Sequence, residues 1–353
     1  MSSVAIHLGT CYPRVEKQEE MVRRHLRAAI DAVDRDFAAP RPPQGDPADL
    51  EALRSLLVLE GTPAEVALTA SGQSALSAAL LALCPSPGIH VAVEEWSFPH
   101  ALKLLRQIGA TVTILPMDDQ GLLPEALEAA GRAGARVLYT TPTVHNPTGV
   151  TMPMARRKEI ASLAERFGMF IVEDEAYAFL EASGIPPLQA LVPERTIRMV
   201  SLSKVISLSL RLGAVVCPPS LFGTVIERVR MMGGMANPVM TAGAASLARA
   251  GEVESLIAAK RQEGSRRQAL AHTIFRDGYR AHPSSWYGMV DIRSEGSAFA
   301  ERARRAGVIL SAGGEYRADE ADVPAVRVSL GGEASWQRLS QGLEIVERMR
   351  ETG

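Results

Sequence analysis

The stretch SLSKVISLSLRLG, residues 201–213, holds Lys204 as the only charge among the ten residues Ser201–Leu210. A lysine kept from water gives up its proton more easily, and its free amine attacks carbonyl carbons to form a Schiff base. The plainer alternative is a sheet-edge lysine whose ammonium reaches solvent. Asp174 ends the apolar run MFIVED, with Tyr177 three residues on. A carboxylate at a buried strand end needs a cationic partner, such as a protonated pyridine nitrogen, unless the segment is an acidic loop. Asn146 lies in VHNPTG, a turn-forming run whose asparagine could also meet a ligand oxygen. Ser71-Gly72-Gln73 falls between an apolar run and a helical pattern. Such a turn is either an ordinary serine cap or a phosphate cradle made of free N–H groups. Arg211 opens an apolar strand pattern and Arg327 sits between valines in AVRVSLG. Guanidinium groups in such settings face a planar anion, from a ligand or from an internal Asp or Glu.

These residues need a frame that brings them together. From about residue 64 to 217 short apolar runs alternate with helical patterns. The strand candidates are VALTAS (66–71), HVAVEE (90–95), TVTILPM (111–117), RVLYTTP (136–142), MFIVEDEAY (169–177), IRMVSLS (197–203) and LGAVVCP (212–218). Their Val, Ile and Thr content, apolar throughout, predicts strands covered on both faces, hence a mainly parallel, doubly wound sheet. In such sheets ligands bind at the carboxyl ends of the strands, where every residue named above except Arg211 and Arg327 falls. Asn146, Asp174 and Lys204 are 28 and 30 residues apart, about one strand–helix unit each.

Residues 16–37 predict one amphipathic helix with Val22, Leu26, Ala29, Ile30, Val33 and Phe37 on its buried face. APRPPQGDP (39–47) is a proline-rich boundary. After about residue 245, long helices and the strand candidates HPSSWYGMVDI and PAVRVSLGG indicate a smaller α/β domain built from both chain ends. The expected division is an arm and small-domain helix over 1–40, a large domain over 41–244 and a small domain over 245–353.

Composition narrows the function. The formal net charge of −2 and the lack of a basic cluster give no electrostatic reason to expect nucleic acid or an anionic membrane. Cys11, Cys84 and Cys217 are odd in number and far apart, with no metal-ligand spacing, as expected of reduced thiols in a cytoplasmic protein. The stretch MSSVAIHLGTCYP lacks a basic region followed by an apolar core, so a signal peptide is not expected, and the sequence holds no run of 18 apolar residues that would predict a membrane span.

HNPTG, DEAY, SLSK and RLG in this order make the chain resemble fold-type I pyridoxal 5′-phosphate (PLP) enzymes of the class I/II aminotransferases. RRKEIASLAERFGMFIVEDEAY and GVILSAGGEYR…VRVSLGG are similar to 2-aminoadipate-type transaminases and to the aminotransferase-like domains of MocR-type regulators. The resemblance implies a seven-stranded, mainly parallel sheet between helices plus a smaller α/β domain. It further implies PLP as cofactor, an amino acid and a 2-oxo acid as substrates, and a homodimer. Lys204 then matches the lysine that forms the internal aldimine and shuttles the proton. Asp174 matches the partner of the pyridine nitrogen, and Tyr177 and Asn146 match the residues that bond the phenolic oxygen. Ser71, Gly72, Gln73, Ser201 and Arg211 match the phosphate ligands, Phe98 the ring-stacking aromatic, and Arg327 the arginine that binds the substrate α-carboxylate.

The chain departs from the family pattern at two places. Leu208-Ser209 stand where Pro-Gly is frequent, and Gln44 where a tyrosine often reaches the partner subunit's phosphate. The same scaffold supports lyase or cyclase chemistry, although Arg327 argues for a retained carboxylate. A non-catalytic PLP-binding sensor of MocR type is the less expected reading, because such regulators carry a DNA-binding domain ahead of this fold and none is expected here. GTCYP (9–13) is a candidate cover for the site, whereas Trp286, Tyr287 and Tyr316 are expected to serve core packing.

Overall fold

The structure, a computed structural model, describes residues 5–31, 41–233 and 235–352. All seven strand candidates of the large sheet form strands. Their spatial order is Glu65–Thr69, Gly213–Cys217, Thr196–Val200, Phe170–Asp174, Val137–Thr140, His90–Glu94, Thr111–Leu115. Gly213–Cys217 runs antiparallel to both neighbours, and the other pairs are parallel.

Alternate residues of these strands enter different clusters, which is why the runs are apolar throughout. Val91, Val93, Tyr139, Val172, Ile197 and Val215 meet the helix Gly72–Leu83 through Leu76 and Leu80. Ala92, Leu138 and Ile171 instead join Leu127 and Ile160, from the helices Pro124–Arg132 and Met154–Phe167. Gly168 caps the latter helix, as its position predicts.

The second sheet has four antiparallel strands in the order Tyr279–Arg280, Tyr287–Asp291, Ala325–Ser329, Ser311–Ala312. Ile6–His7 pairs with Val308–Ile309, and Ile6 and Leu8 pack with Phe275, Val326 and Leu343. The start of the chain thus adds to the core of this smaller sheet.

The amphipathic helix covers Gln18–Asp31; Val33 and Phe37 lie outside the described residues. Val22 and Ala29 are buried, and Val22 packs with Leu53, Leu68 and Val216 against the large sheet. Ile30, expected on the buried face, is 53% exposed. At about 100° per residue it lies some 80° around the helix from Val22, beyond the edge of the stripe. His25 takes part of the buried face, hydrogen-bonding Ser246 and Glu252. Among the described residues no helix is long and apolar enough to cross a membrane.

Candidate active site

A cavity of about 310 Å³ lies at the carboxyl ends of the large sheet's parallel strands. Ser71, Gly72, Gln73, Phe98, Asn146, Asp174, Tyr177, Ser201, Lys204, Arg211 and Arg327 all line it. Ser71 and Arg327, 256 positions apart in the chain, are thus brought to one place.

Ser71 caps the helix Gly72–Leu83, its Oγ accepting from the Ser74 N–H at 3.0 Å. The Gly72 and Gln73 N–H groups of this first turn have no acceptor within the helix and are available to an anion. This turn is built on close approach. A Cβ at Gly72 would lie 2.9 Å from Ser201 Cβ and Oγ. One at Gly213, which pairs with Thr69, would lie 2.5 Å from the Ser71 carbonyl. Arg211 follows the 3₁₀ turn Leu208–Leu210 in a left-handed conformation, φ 48° and ψ 59°. Such a conformation costs a residue with a Cβ roughly 1–2 kcal/mol. It leaves the Arg211 side chain exposed at the mouth of the cradle. Exposed cations beside free N–H groups make a phosphate site.

Lys204 sits in the short helix Leu202–Val205. Its Nζ donates to the Cys11 carbonyl and lies 4.9 Å and 5.5 Å from the ring centres of Tyr12 and Tyr177. Burial holds its pKa below the ordinary lysine value, the Cys11 thiol opposes that shift, and Arg327 and Arg211 add to it. The lysine is thus biased toward the neutral amine.

Asp174 is 3% exposed. Its Oδ2 accepts from the Tyr139 hydroxyl at 2.9 Å and its Oδ1 from the Ala176 N–H at 3.0 Å. Among the described residues no lysine or arginine forms an ion pair with it. Burial raises its pKa to about 6, against the two hydrogen bonds. A cation delivered by a ligand would remove that penalty. A stability prediction arises here. Asp174 binds its proton more tightly folded than unfolded, so its contribution is full below about pH 4 and is lost as pH rises through about 6. Without cofactor, the wild type is expected to lose up to about 3 kcal/mol over this window relative to Asp174→Asn. Denaturant titrations of both proteins at each pH measure the difference; parallel curves contradict it.

Asn146 lies in a loop closed by His145 N–H to Val150 O at 2.8 Å. The buried Arg157 ties the same loop through Pro142 O and Thr143 Oγ1. Asn146 Oδ1 is buried without a hydrogen-bond partner. Arg327 is 3% exposed, with its guanidinium 4.5 Å and 5.5 Å from the ring centres of Tyr287 and Tyr316. Its Nη1 donates to Gly9 O at 3.2 Å, while its Nε has no partner. Two of the buried polar atoms without partners therefore face this cavity, as expected of a site shaped for a polar ligand.

Gly9, Thr10, Cys11 and Tyr12 cover the site, in keeping with the position of GTCYP. Tyr316 is buried yet lines the cavity instead of serving the core alone, because the turn Gly313–Tyr316 is drawn over the large sheet by Ser97 N–H bonding Tyr316 O. Trp286 and Tyr287 are core residues, the latter joining the Asn146 loop to the small sheet through its hydroxyl on Val144 O. Gln44 does not line the cavity; its carbonyl accepts from Leu68 N–H. Tyr139, the hydroxyl partner of Asp174, was hidden inside an apolar run that betrays nothing but a strand.

Residues 4–341 match the family described as aminotransferase class I and II. The chain belongs to this family. An uncharacterized HTH-type transcriptional regulator, YdeF of Bacillus subtilis, is 26% identical over 79% of this class I/II chain. The mitochondrial kynurenine/alpha-aminoadipate aminotransferase of Rattus norvegicus is 34% identical over 40% of it. The matched stretches are 61% and 37% of those relatives' own lengths, so the chain spans less than two thirds of either. Kynurenine aminotransferase from Pyrococcus horikoshii, solved in complex with PMP, superimposes over 99% of this chain and 92% of its own. Its TM-score is 0.90 at 22% identity, which establishes the shared fold.

Proposed function

We propose that this class I/II chain is a PLP-dependent aminotransferase, moving an amino group between an L-amino acid and a 2-oxo acid. One observation carries the reading: a lysine biased toward its neutral amine lies in one cavity with a carboxylate lacking a cation and an arginine lacking a carboxylate. PLP, when bound, supplies an aldehyde for the lysine and an electron sink for a substrate carbanion.

The residues fit that group. Lys204 Nζ would hold the cofactor and afterwards move the proton at the substrate Cα. Asp174 would keep a ring nitrogen protonated, with Tyr139 orienting its carboxylate. Asn146 and Tyr177 would meet the ring oxygen, and Phe98 would pack on the ring face. The Ser71-Gly72-Gln73 turn, Ser201 and Arg211 would take the phosphate. Arg327 would grip the substrate carboxylate in a fork that lysine cannot copy.

A cytoplasmic homodimer is part of the proposal, supported by the resemblance to the class I/II aminotransferases. A second reading, a cofactor-binding sensor, is favoured only by the similarity to the Bacillus regulator. The deciding experiment adds PLP and then a panel of amino acids. Amino transfer is expected to discharge the visible absorbance near about 420 nm, and a 2-oxo acid to restore it. A protein that takes up PLP but makes no 2-oxo acid from any amino donor is not an aminotransferase.

A further inference from the structure

The segment 9–12 runs between the two cations that a substrate would meet. Gly9 O accepts from Arg327 Nη1 at 3.2 Å, and Cys11 O accepts from Lys204 Nζ. The Tyr12 ring centre lies 4.9 Å from Lys204 Nζ, and the Tyr316 ring centre lies 5.5 Å from the Arg327 guanidinium. Leu208 lines the cavity and, together with Tyr12, a smaller cleft beside it. Tyr12, Leu208 and Tyr316 therefore stand around the space that a substrate fills when its carboxylate is on Arg327 and its amine points to Lys204.

Charge decides what that space accepts. Among the described residues three cationic side chains line the cavity: Lys204, Arg211 and Arg327. Each is already engaged in the proposed reaction, by the amine transfer, the phosphate and the α-carboxylate. Arg14, two positions after Tyr12, is exposed and lines the adjoining clefts instead. A second carboxylate on the substrate would thus meet two tyrosines, a leucine and backbone carbonyls. A tyrosine hydroxyl offers it one hydrogen bond and no countercharge. An unpaired carboxylate is strongly disfavoured out of water, whereas an alkyl or aromatic side chain gains by leaving it.

We infer that Tyr12, Leu208 and Tyr316 form a side-chain subsite for amino acids with neutral, apolar or aromatic side chains, and that this subsite disfavours substrates with a second carboxylate. The inference rests on the aminotransferase reading and names the substrate class within it. Amino donor and 2-oxo acid acceptor use one cavity in turn, so the acceptor has the same preference. Leu208, standing where the family pattern often has proline, supplies part of the apolar lining.

The test uses the full chain loaded with PLP. L-Norleucine and L-glutamate are similar in length and differ in charge at the tip. Single-turnover loss of the visible absorbance is expected to be about 100-fold faster with L-norleucine at equal concentration. L-Glutamate γ-methyl ester, which removes only the charge, is expected to recover most of that difference. L-Glutamate reacting as fast as L-norleucine overturns the inference and leaves the aminotransferase reading intact. Tyr12→Arg and Leu208→Arg each place a cation in the subsite. Each is expected to raise the glutamate-to-norleucine rate ratio about tenfold. If one variant does not fold, the other decides, and an unmoved ratio overturns the subsite. A second arm needs no turnover. Calorimetric titration of the chain, with and without PLP, is expected to show hexanoate binding about tenfold more tightly than glutarate. Equal or tighter binding of glutarate overturns the inference. Should no amino donor react while hexanoate is preferred, the aminotransferase reading fails and the neutral subsite stands.

Discussion

Lys204→Ala is expected to reduce amino transfer by about 10⁴-fold or more, with the fold retained. The size follows from two duties lost together, the covalent hold on the cofactor and the proton transfer at the substrate. Stability is expected to change little. The variant loses the bond to the Cys11 carbonyl, worth about 1 kcal/mol, but also the need to bury an amine. Lys204→Arg makes the sharper comparison. It restores length and charge, yet a guanidinium keeps its proton at any working pH. Both variants are therefore expected to be inactive, as measured by 2-oxo acid release at saturating PLP. Activity within tenfold of wild type in the arginine variant would show that a neutral amine at this position is not what the reaction needs.

Gly213→Ala carries the second large effect, at a residue that touches no substrate. A single methyl group there would lie 2.5 Å from the Ser71 carbonyl carbon and oxygen and 2.6 Å from the Gly72 nitrogen. All three are backbone atoms, so no side-chain rotation relieves the contact. The turn must move away from the strand, taking its N–H groups with it. The expected cost is about 1–3 kcal/mol of stability. Displaced phosphate donors are expected to lower amino transfer about 10²-fold as well. Gly223→Ala is the control: nothing lies within 4 Å of a Cβ there, in the interior of the helix Pro219–Met231. It is expected to add about 0.5–1 kcal/mol. Thermal unfolding and PLP titration of the two variants measure both quantities. A Gly213→Ala protein with wild-type stability and cofactor affinity would refute the packing of cradle on strand.

The large sheet was legible because its strands are covered on both faces, which forces apolar residues at every position of a run such as GAVVC. The polar residues that interrupt those runs at their ends mark the site for the same reason: a charge tolerated beside a core has a task. Ile30 shows the limit at the rim of a helix stripe, where the angle alone does not say whether a neighbour covers it. Tyr316 shows another, since an aromatic residue in a buried turn has the same pattern whether it meets core or cavity. Lys260, fully buried with its Nζ donating to the carbonyls of Lys204, Val205 and Ile206, is the clearest case. In AAKRQEGSRRQ it looks like one of many solvated charges, and no local feature distinguishes it from Arg266.

The order of elements, the residue types at the strand ends and the chemistry open to them follow from the sequence, because each depends on neighbours a few positions away. The contacts that set charge states do not. Lys204 meets Cys11 across 193 positions, Arg327 meets Gly9 across 318, and Lys260 meets the Lys204 turn across 56. Only the packed chain determines which amine is desolvated, which carboxylate has no counter-ion and which carbonyls an ammonium can reach. Ionisation energy depends on the polar groups and water within a few ångströms in space, and folding alone decides which those are.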